Sequence, residues 1–388
     1  MRILFISDNP IHGFGGGSIE NRKHYDALKH YCVETGNEFK VISRDDNLDE
    51  RFQIDIQKNK FIDILTRLMG HSSYLYYTWI RNRKAIDQFK PDIIYLGRSR
   101  FGFIAKGIRK NNPHCIVVTN IDNVEVDYVD GYFSLKEGVI NNLYKSFEKH
   151  NVRKDETDAI EFSDRLIYLT QRNVARVKEL YNHCETNPII IPICLEKQTM
   201  LYKKSSKKTV LFVGSLDYAA NILAANRLIE LWKEYFVQTP GVELIVAGRN
   251  PSKELLSYNA NVKNISVIPD FEALADIIPQ NSLMLAPIEK GAGMKVKVAE
   301  TLSMGLMIAA SDEALVGYED AIKNDKINGI VRANTKEEYI DAIRKYLNFS
   351  DEELDNISKQ NKKLYQTYYT YSVSRSKIKK LLDDVLEG

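Results

Sequence analysis

Lys295, Lys297 and Glu300 are spaced to handle a nucleotide diphosphate. They follow the turn Glu289-Lys290-Gly291-Ala292-Gly293-Met294, within residues 282–310, which read as strand, glycine-rich turn, helix and strand. Gly291 and Gly293 let backbone approach a ligand closely, and a helix N-terminus offers unpaired N–H groups to an anion. Two lysines at that end neutralise phosphate charge. A carboxylate at 300, one turn after Lys297, can accept from a ribose diol. The plainer reading is an ordinary strand-to-helix turn with solvated lysines, and the motif alone does not separate the two.

A second group of candidates lies in the first half. An apolar run ending at Thr119 is followed by Asn120-Ile121-Asp122-Asn123-Val124-Glu125-Val126-Asp127. The carboxyl ends of strands are where open α/β sheets bind ligands. Asp122, with Glu125 behind it, is placed to exchange a proton with a hydroxyl or to hold a sugar. Helix capping is the structural alternative. Nearer the N-terminus, the apolar run 2–7 leads to Gly15-Gly16-Gly17 and a polar helix over 19–30. This loop does not have the spacing G-x-G-x-x-G, so Gly16 and Gly17 are expected to meet phosphate or acceptor through backbone alone. His12 and His24 have weak claims.

The elements that position these groups alternate. Strands are expected at 39–43, 92–96, 115–119 and 165–169, with helices between them, the order of a parallel sheet. Residues 58–90 mix aromatics with Arg67, Arg81, Arg83 and Lys84. That face suits an anionic membrane surface or, on the plainer reading, a core-packed helix with a solvated basic side. A proline-bracketed strand at 187–192 precedes a polar linker over 196–208, centred on 203–208. The alternation then restarts at 209–213, with Gly214, Ser215 and Asn221 opening the next helix. Further strands are expected at 242–247, ending beside Arg249, and at 265–268, ahead of Phe271. Strands at 305–310 and 329–331 complete the sheet. Residues 351–388 read as two helices, the last with apolar spacing at Ile378, Leu381, Leu382 and Val385.

Composition narrows the class. A chain of 388 residues with 44% hydrophobic and 27% charged content is an ordinary globular sequence of two or three domains. A net charge of +2 argues against a dedicated nucleic-acid binder. Cys32, Cys115, Cys184 and Cys194 are scattered, without metal-ligand spacing, as expected of thiols in a reducing cytosol. The polar Ser7 and Asp8 interrupt the N-terminal run, so it reads as a strand, not a signal peptide. No run approaches the ~20 apolar residues of a membrane span.

Residues 291–311 resemble the donor-site segment of GT-B glycosyltransferases of the family-4 type. Residues 211–232 are similar to the opening of the donor domain in one branch of that family. The resemblance implies an α/β fold with two Rossmann-like parallel-sheet domains facing a central cleft. The domains would be residues 1–195 on the acceptor side and 196–365 on the nucleotide-sugar side, with 366–388 returning to the first domain. It assigns donor binding to Gly16, Gly17, Gly214, Ser215, Asn221, Arg249, Phe271, Gly291, Gly293, Met294, Lys295, Lys297 and Glu300, and catalysis to Asp122 and Glu125. Two departures stand out. Ala292 occupies the place of a first glutamate, with Glu289 out of register, and Asp122 occupies the place of a histidine that faces the donor sugar.

The function so implied is retaining transfer of a hexose or N-acetylhexosamine from a nucleotide diphosphate sugar, UDP before GDP, to an acceptor hydroxyl. The acceptor is a glycan, a lipid-linked molecule or a protein, in bacterial surface glycan or glycoconjugate assembly. The enzyme would be cytoplasmic or peripheral at the inner face of the membrane. No D-x-D occurs, so no metal and no cofactor are expected, and Lys295, Lys297 and Arg249 would stabilise the diphosphate instead. The alternatives are a UDP-sugar epimerase of similar fold and a catalytically silent binding protein.

Overall fold

A computed structural model describes residues 1–387 except 14, 46, 57, 135–137, 197–206, 272 and 273. Most of the expected linker, 197–206, therefore lies outside the described residues. The chain divides into two compact units, Met1–Leu195 with Tyr371–Gly388, and Glu196–Thr370. The second unit thus runs on past the expected boundary at residue 365.

Unit 1 is built on a parallel sheet of strands β1 (Arg2–Ile6), β2 (Glu38–Ile42), β3 (Ile93–Leu96), β4 (Ile116–Ile121), β5 (Arg165–Tyr168) and β6 (Ile189–Ile190). Their order is β2-β1-β3-β4-β5-β6. Side chains alternate across a strand, and both faces of this sheet are covered, so β1 is apolar throughout its interior. Ile3 and Phe5 pack in one core with Leu28 of the helix Gly16–Thr35. Ile378, Leu381 and Leu382 of the last helix, Tyr371–Glu387, fill the same core. Leu4 and Ile6 pack on the opposite side with Trp79 and Ile104. The last helix is tied down further by Arg375, which donates twice to Asp26 at 2.7 Å.

One sequence expectation changes here. Gly16 and Gly17 are not in a loop but form the first turn of the helix that Gly15 caps. A side chain at Gly17 would come within 2.6 Å of the Asn9 amide nitrogen, so Asn9 would have to move to admit one. The aromatic stretch over 74–79 is largely core, with Tyr74, Leu75 and Trp79 buried. His24 is also a core residue, bonded to Tyr95 at 2.6 Å and Glu20 at 3.2 Å, and burial pushes its imidazole down to about 4.

Unit 2 repeats the plan with β7 (Lys208–Val213), β8 (Val242–Gly248), β9 (Ile265–Pro269), β10 (Leu283–Ala286), β11 (Met307–Ala310) and β12 (Ile330–Arg332). The order is β12-β11-β10-β7-β8-β9, again parallel. Chain order reverses between β1 and β3 in the first sheet and between β7 and β10 in the second. Such reversals open the crevices in which parallel sheets bind ligands. The loops carrying Gly214 and Lys295 follow β7 and β10, so topology alone brings them together.

Candidate active site

In unit 2 the helix Val296–Met304 begins at the end of the glycine turn. The N-cap residue, Lys295, makes no side-chain cap bond, and no acid sits in the first turn. That leaves an end suited to an anion. Lys297 reaches across to the neighbouring loop, where its Nζ donates to Asn221 Oδ1 at 2.9 Å and lies 4.3 Å from the centre of the Phe212 ring. Asn221 in turn donates to the Ser215 carbonyl at 3.0 Å. A Cβ at Gly214 would stand 2.8 Å from the Asn221 amide carbon, so this packing needs glycine. Four sequence-derived candidates, Gly214, Ser215, Asn221 and Lys297, therefore meet.

Burial pushes the Lys297 amine down to about 7, against the pull of Glu300, and pushes the Glu300 carboxyl up to about 7, against the pull of Lys297. Each group lies within the electrostatic reach of the other.

Lys295 is used differently. Its Nζ donates to the Gly293 carbonyl at 2.8 Å and pairs with Glu313 at 3.0 Å, which folds the glycine turn back on itself. Gly293 has φ +65° and Met294 is buried beneath the turn. The buried Tyr318 fastens the junction: its hydroxyl donates to the Lys295 carbonyl at 2.7 Å and accepts from the Ala299 N–H at 3.0 Å. Glu289, the out-of-register acid, turns away and pairs with Arg227. Gly291 and Ala292 are half-buried in the same turn.

Arg249 is exposed at the end of β8, its carbonyl accepting from Leu216 N–H at 2.8 Å, and Phe271 is half-buried beyond β9. A polar strap joins these loops. Asp217 accepts from Ser215 and from Asn250, each at 2.8 Å, and Asn250 N–H reaches Asp270 at 3.4 Å. Nothing in the sequence singled out Asp217, Glu313 or Tyr318.

In unit 1, Asp122 and Glu125 have opposite surroundings. Glu125 is fully buried and accepts from Arg98 at 2.7 Å and Arg100 at 2.6 Å. The two guanidiniums outweigh burial and hold its carboxyl below the usual range. Asp122 is buried too, but Arg98 is 3.7 Å away, its Oδ2 accepts only from Asn123 at 3.2 Å, and Oδ1 has no partner among the described residues. Burial pushes this carboxyl up to about 7, Arg98 opposing. Asp122 does not cap the helix Glu125–Tyr132, whose N-cap position, Val124, makes no side-chain cap bond. Arg98 also faces Asp8 at 3.7 Å, so loops after β1, β3 and β4 converge on one guanidinium. Sequence reasoning missed Arg98, which shares Gly97-Arg98-Ser99-Arg100 with a second arginine directly after a buried strand.

Glu125→Gln is expected to lower stability by about 2 kcal/mol, because two largely buried guanidiniums lose their anion. Urea melts at two pH values check this. A carboxyl held below 4.5 stabilises fully above that pH and loses its contribution as pH falls through the folded value. The difference from the variant must therefore shrink in acid.

Residues 207–348 match the family described as glycosyl transferases group 1. Sequence comparison with curated proteins finds no significant match. Among solved structures, WaaG, a glycosyltransferase involved in lipopolysaccharide biosynthesis, is 15% identical with TM-score 0.63, over 96% of this chain and 98% of that one. A Rickettsia africae glycosyltransferase is 11% identical with TM-score 0.66, over 100% and 99%. Anabaena HepE, in complex with UDP-glucose, is 13% identical with TM-score 0.64, over 99% and 100%. The chain has the GT-B fold, and its second unit carries a glycosyl transferases group 1 domain, that of a glycosyltransferase.

Proposed function

We propose that this glycosyltransferase moves a hexosyl or N-acetylhexosaminyl group from a UDP-sugar to an acceptor hydroxyl, with retention and without a metal ion. We place it in the cytoplasm, in assembly of a bacterial surface glycan or glycoconjugate whose acceptor is a glycan, a lipid-linked molecule or a protein. The observation that carries the donor assignment is the Lys297–Asn221–Ser215 contact beside a helix end whose N-cap side chain makes no cap bond. The UDP-glucose bound by HepE supports the nucleotide, and the lipopolysaccharide role of WaaG supports the setting.

In this reading Lys297 and the first N–H groups of its helix take the charge that grows on the diphosphate as the bond to the sugar breaks. Gly214 and Ser215 let backbone approach the phosphates, with Arg249 at the rim. Glu300 accepts from the ribose hydroxyls, and Phe271 lies beside the segment that holds the base through its backbone. Lys295 shapes the glycine turn. Asp122 serves as the acid–base or sugar-binding group, with Glu125 fixing the arginines around it.

The test is a melting panel with UDP, GDP, ADP, CMP and their sugars. A ligand that binds only the folded state stabilises by about 2.7 kcal/mol at a hundredfold excess over Kd. UDP and UDP-sugars are expected to raise the melting temperature by several degrees. No shift with any nucleotide would overturn the donor assignment.

A pH dependence follows. The free Lys297 amine titrates near 7 and the diphosphate demands its charged form, so binding takes up a proton above pH 7. Affinity for a UDP-sugar is expected to fall by up to about tenfold per pH unit above 7 and to be flatter below it. Calorimetry in buffers of different ionisation enthalpy measures that proton directly.

A further inference from the structure

The helix Lys60–Leu68 is amphipathic, yet its apolar stripe points the wrong way for a core. Only Ile62 and Thr66 are buried, while Phe61, Ile64 and Leu68 face solvent. The start of the helix Val139–Phe162 does the same with Val139, Ile140 and Leu143, and these six residues are 59% to 83% exposed. Residues three and four apart share a helix face, so each helix carries a continuous outward stripe.

The two helices lie together. Arg67 pairs with Glu148 at 2.9 Å, and Asn151 donates to the Arg67 carbonyl at 3.0 Å. Beside them is a cavity of about 390 Å³, lined in part by Arg67, Tyr132 and Tyr144, and both tyrosines are themselves exposed. Large apolar side chains grouped in this way mark an interaction surface.

Charge indicates what covers it. Residues 58–69 and 139–154 hold seven lysines and arginines against two acids, Asp63 and Glu148, in a chain that balances 54 basic residues against 52 acidic ones. Asp130 offsets part of this by pairing with Lys145 and Lys149, each at 2.8 Å. A two-fold contact of the face with a second copy would set like charge against like. Apolar side chains ringed by cations suit the boundary of an anionic bilayer, where the stripe enters the acyl region and the cations stay among headgroups. No described helix is long and apolar enough to cross a membrane, so these helices can lie only on its surface.

We propose that this two-helix face docks unit 1 on an anionic lipid surface. Within residues 58–90, whose composition suits an anionic surface, the helix Lys60–Leu68 carries the outward stripe, while Tyr74 and Trp79 serve the core. The face pairs segments some 80 residues apart, Arg67 with Glu148.

The test is co-sedimentation of the full chain with vesicles of phosphatidylcholine alone or with about one third phosphatidylglycerol. Binding is expected with the anionic vesicles, weakening as salt rises. Phe61→Ser/Leu68→Ser and Ile140→Ser/Leu143→Ser should each lower partitioning about tenfold or more, with melting unchanged because the side chains are exposed. Absence of binding to both vesicles, or binding that neither pair of substitutions weakens, overturns the proposal. So does a dimer that the same substitutions dissolve, in a protein that ignores vesicles. UDP affinity is expected to be unaffected in every variant, so this result and the donor assignment stand or fall separately.

Discussion

Lys297→Ala is expected to remove most of the affinity for UDP and UDP-sugars while the protein melts no lower than before. The amine lies against the Gly214–Asn221 loop and belongs to the first turn of the helix Val296–Met304. A charge-assisted bond to phosphate contributes about 1.5–3 kcal/mol, and in the transition state the growing charge on the diphosphate strengthens it. A loss of about a hundredfold to a thousandfold in kcat/KM is therefore expected, with at least tenfold in Kd. The stability half of the prediction rests on a sign. Burial holds the Lys297 amine near 7, below its ordinary 10.5. The unfolded chain binds the extra proton between these values, so stability rises with pH across that window, and the cost of charging the buried amine is complete below pH 7. Removing the amine removes that cost. Calorimetric titration with UDP and a melt at pH 6.5 test both halves, and normal nucleotide affinity would sink the assignment.

Asp122→Asn is expected to separate turnover from donor binding. The substitution keeps the shape and removes the proton exchange. General acid–base groups contribute about a hundredfold to ten-thousandfold, so kcat should fall into that range while UDP affinity holds. The carboxyl sits near 7, raised by burial from 3.8, which places proton exchange at neutral pH. The raised value also costs stability as pH climbs from 3.8 to 7, and the amide avoids that cost. The variant should melt at or above the parent at pH 8. Full activity in the variant would assign Asp122 to the scaffold. Glu125→Gln supplies the contrast, with lower stability and a smaller effect on turnover per folded molecule.

How legible each site was depends on how far apart its parts lie along the chain. Lys297, Glu300 and the glycine turn belong to one strand-turn-helix unit, so spacing alone suggested their chemistry. The Asn221 contact needed only the knowledge that β7 and β10 are neighbours, which the alternation of strands and helices makes probable on topological grounds. The guanidinium shared by Asp8, Asp122 and Glu125 was not legible. It requires β1, β3 and β4 to lie side by side, and its arginine was one of several basic residues with no periodic mark. Glu289 shows a different limit. Its position in sequence puts it beside the donor turn, but a competing cation, Arg227, takes its side chain elsewhere. The helix Lys60–Leu68 shows a third, since an amphipathic pattern reveals two faces and not which of them meets water.

The path of the chain carries a consequence for biosynthesis. Unit 2 is continuous from Glu196 to Thr370, whereas unit 1 is interrupted by it and finished by the segment beginning at Tyr371. The missing piece is not ornamental, because Ile378, Leu381 and Leu382 fill the same core as Ile3 and Phe5. On the ribosome, the unit translated first is therefore the one completed last. Its sheet waits with one apolar flank uncovered while the whole of unit 2 is made, and a nascent chain in that condition is a client for chaperones.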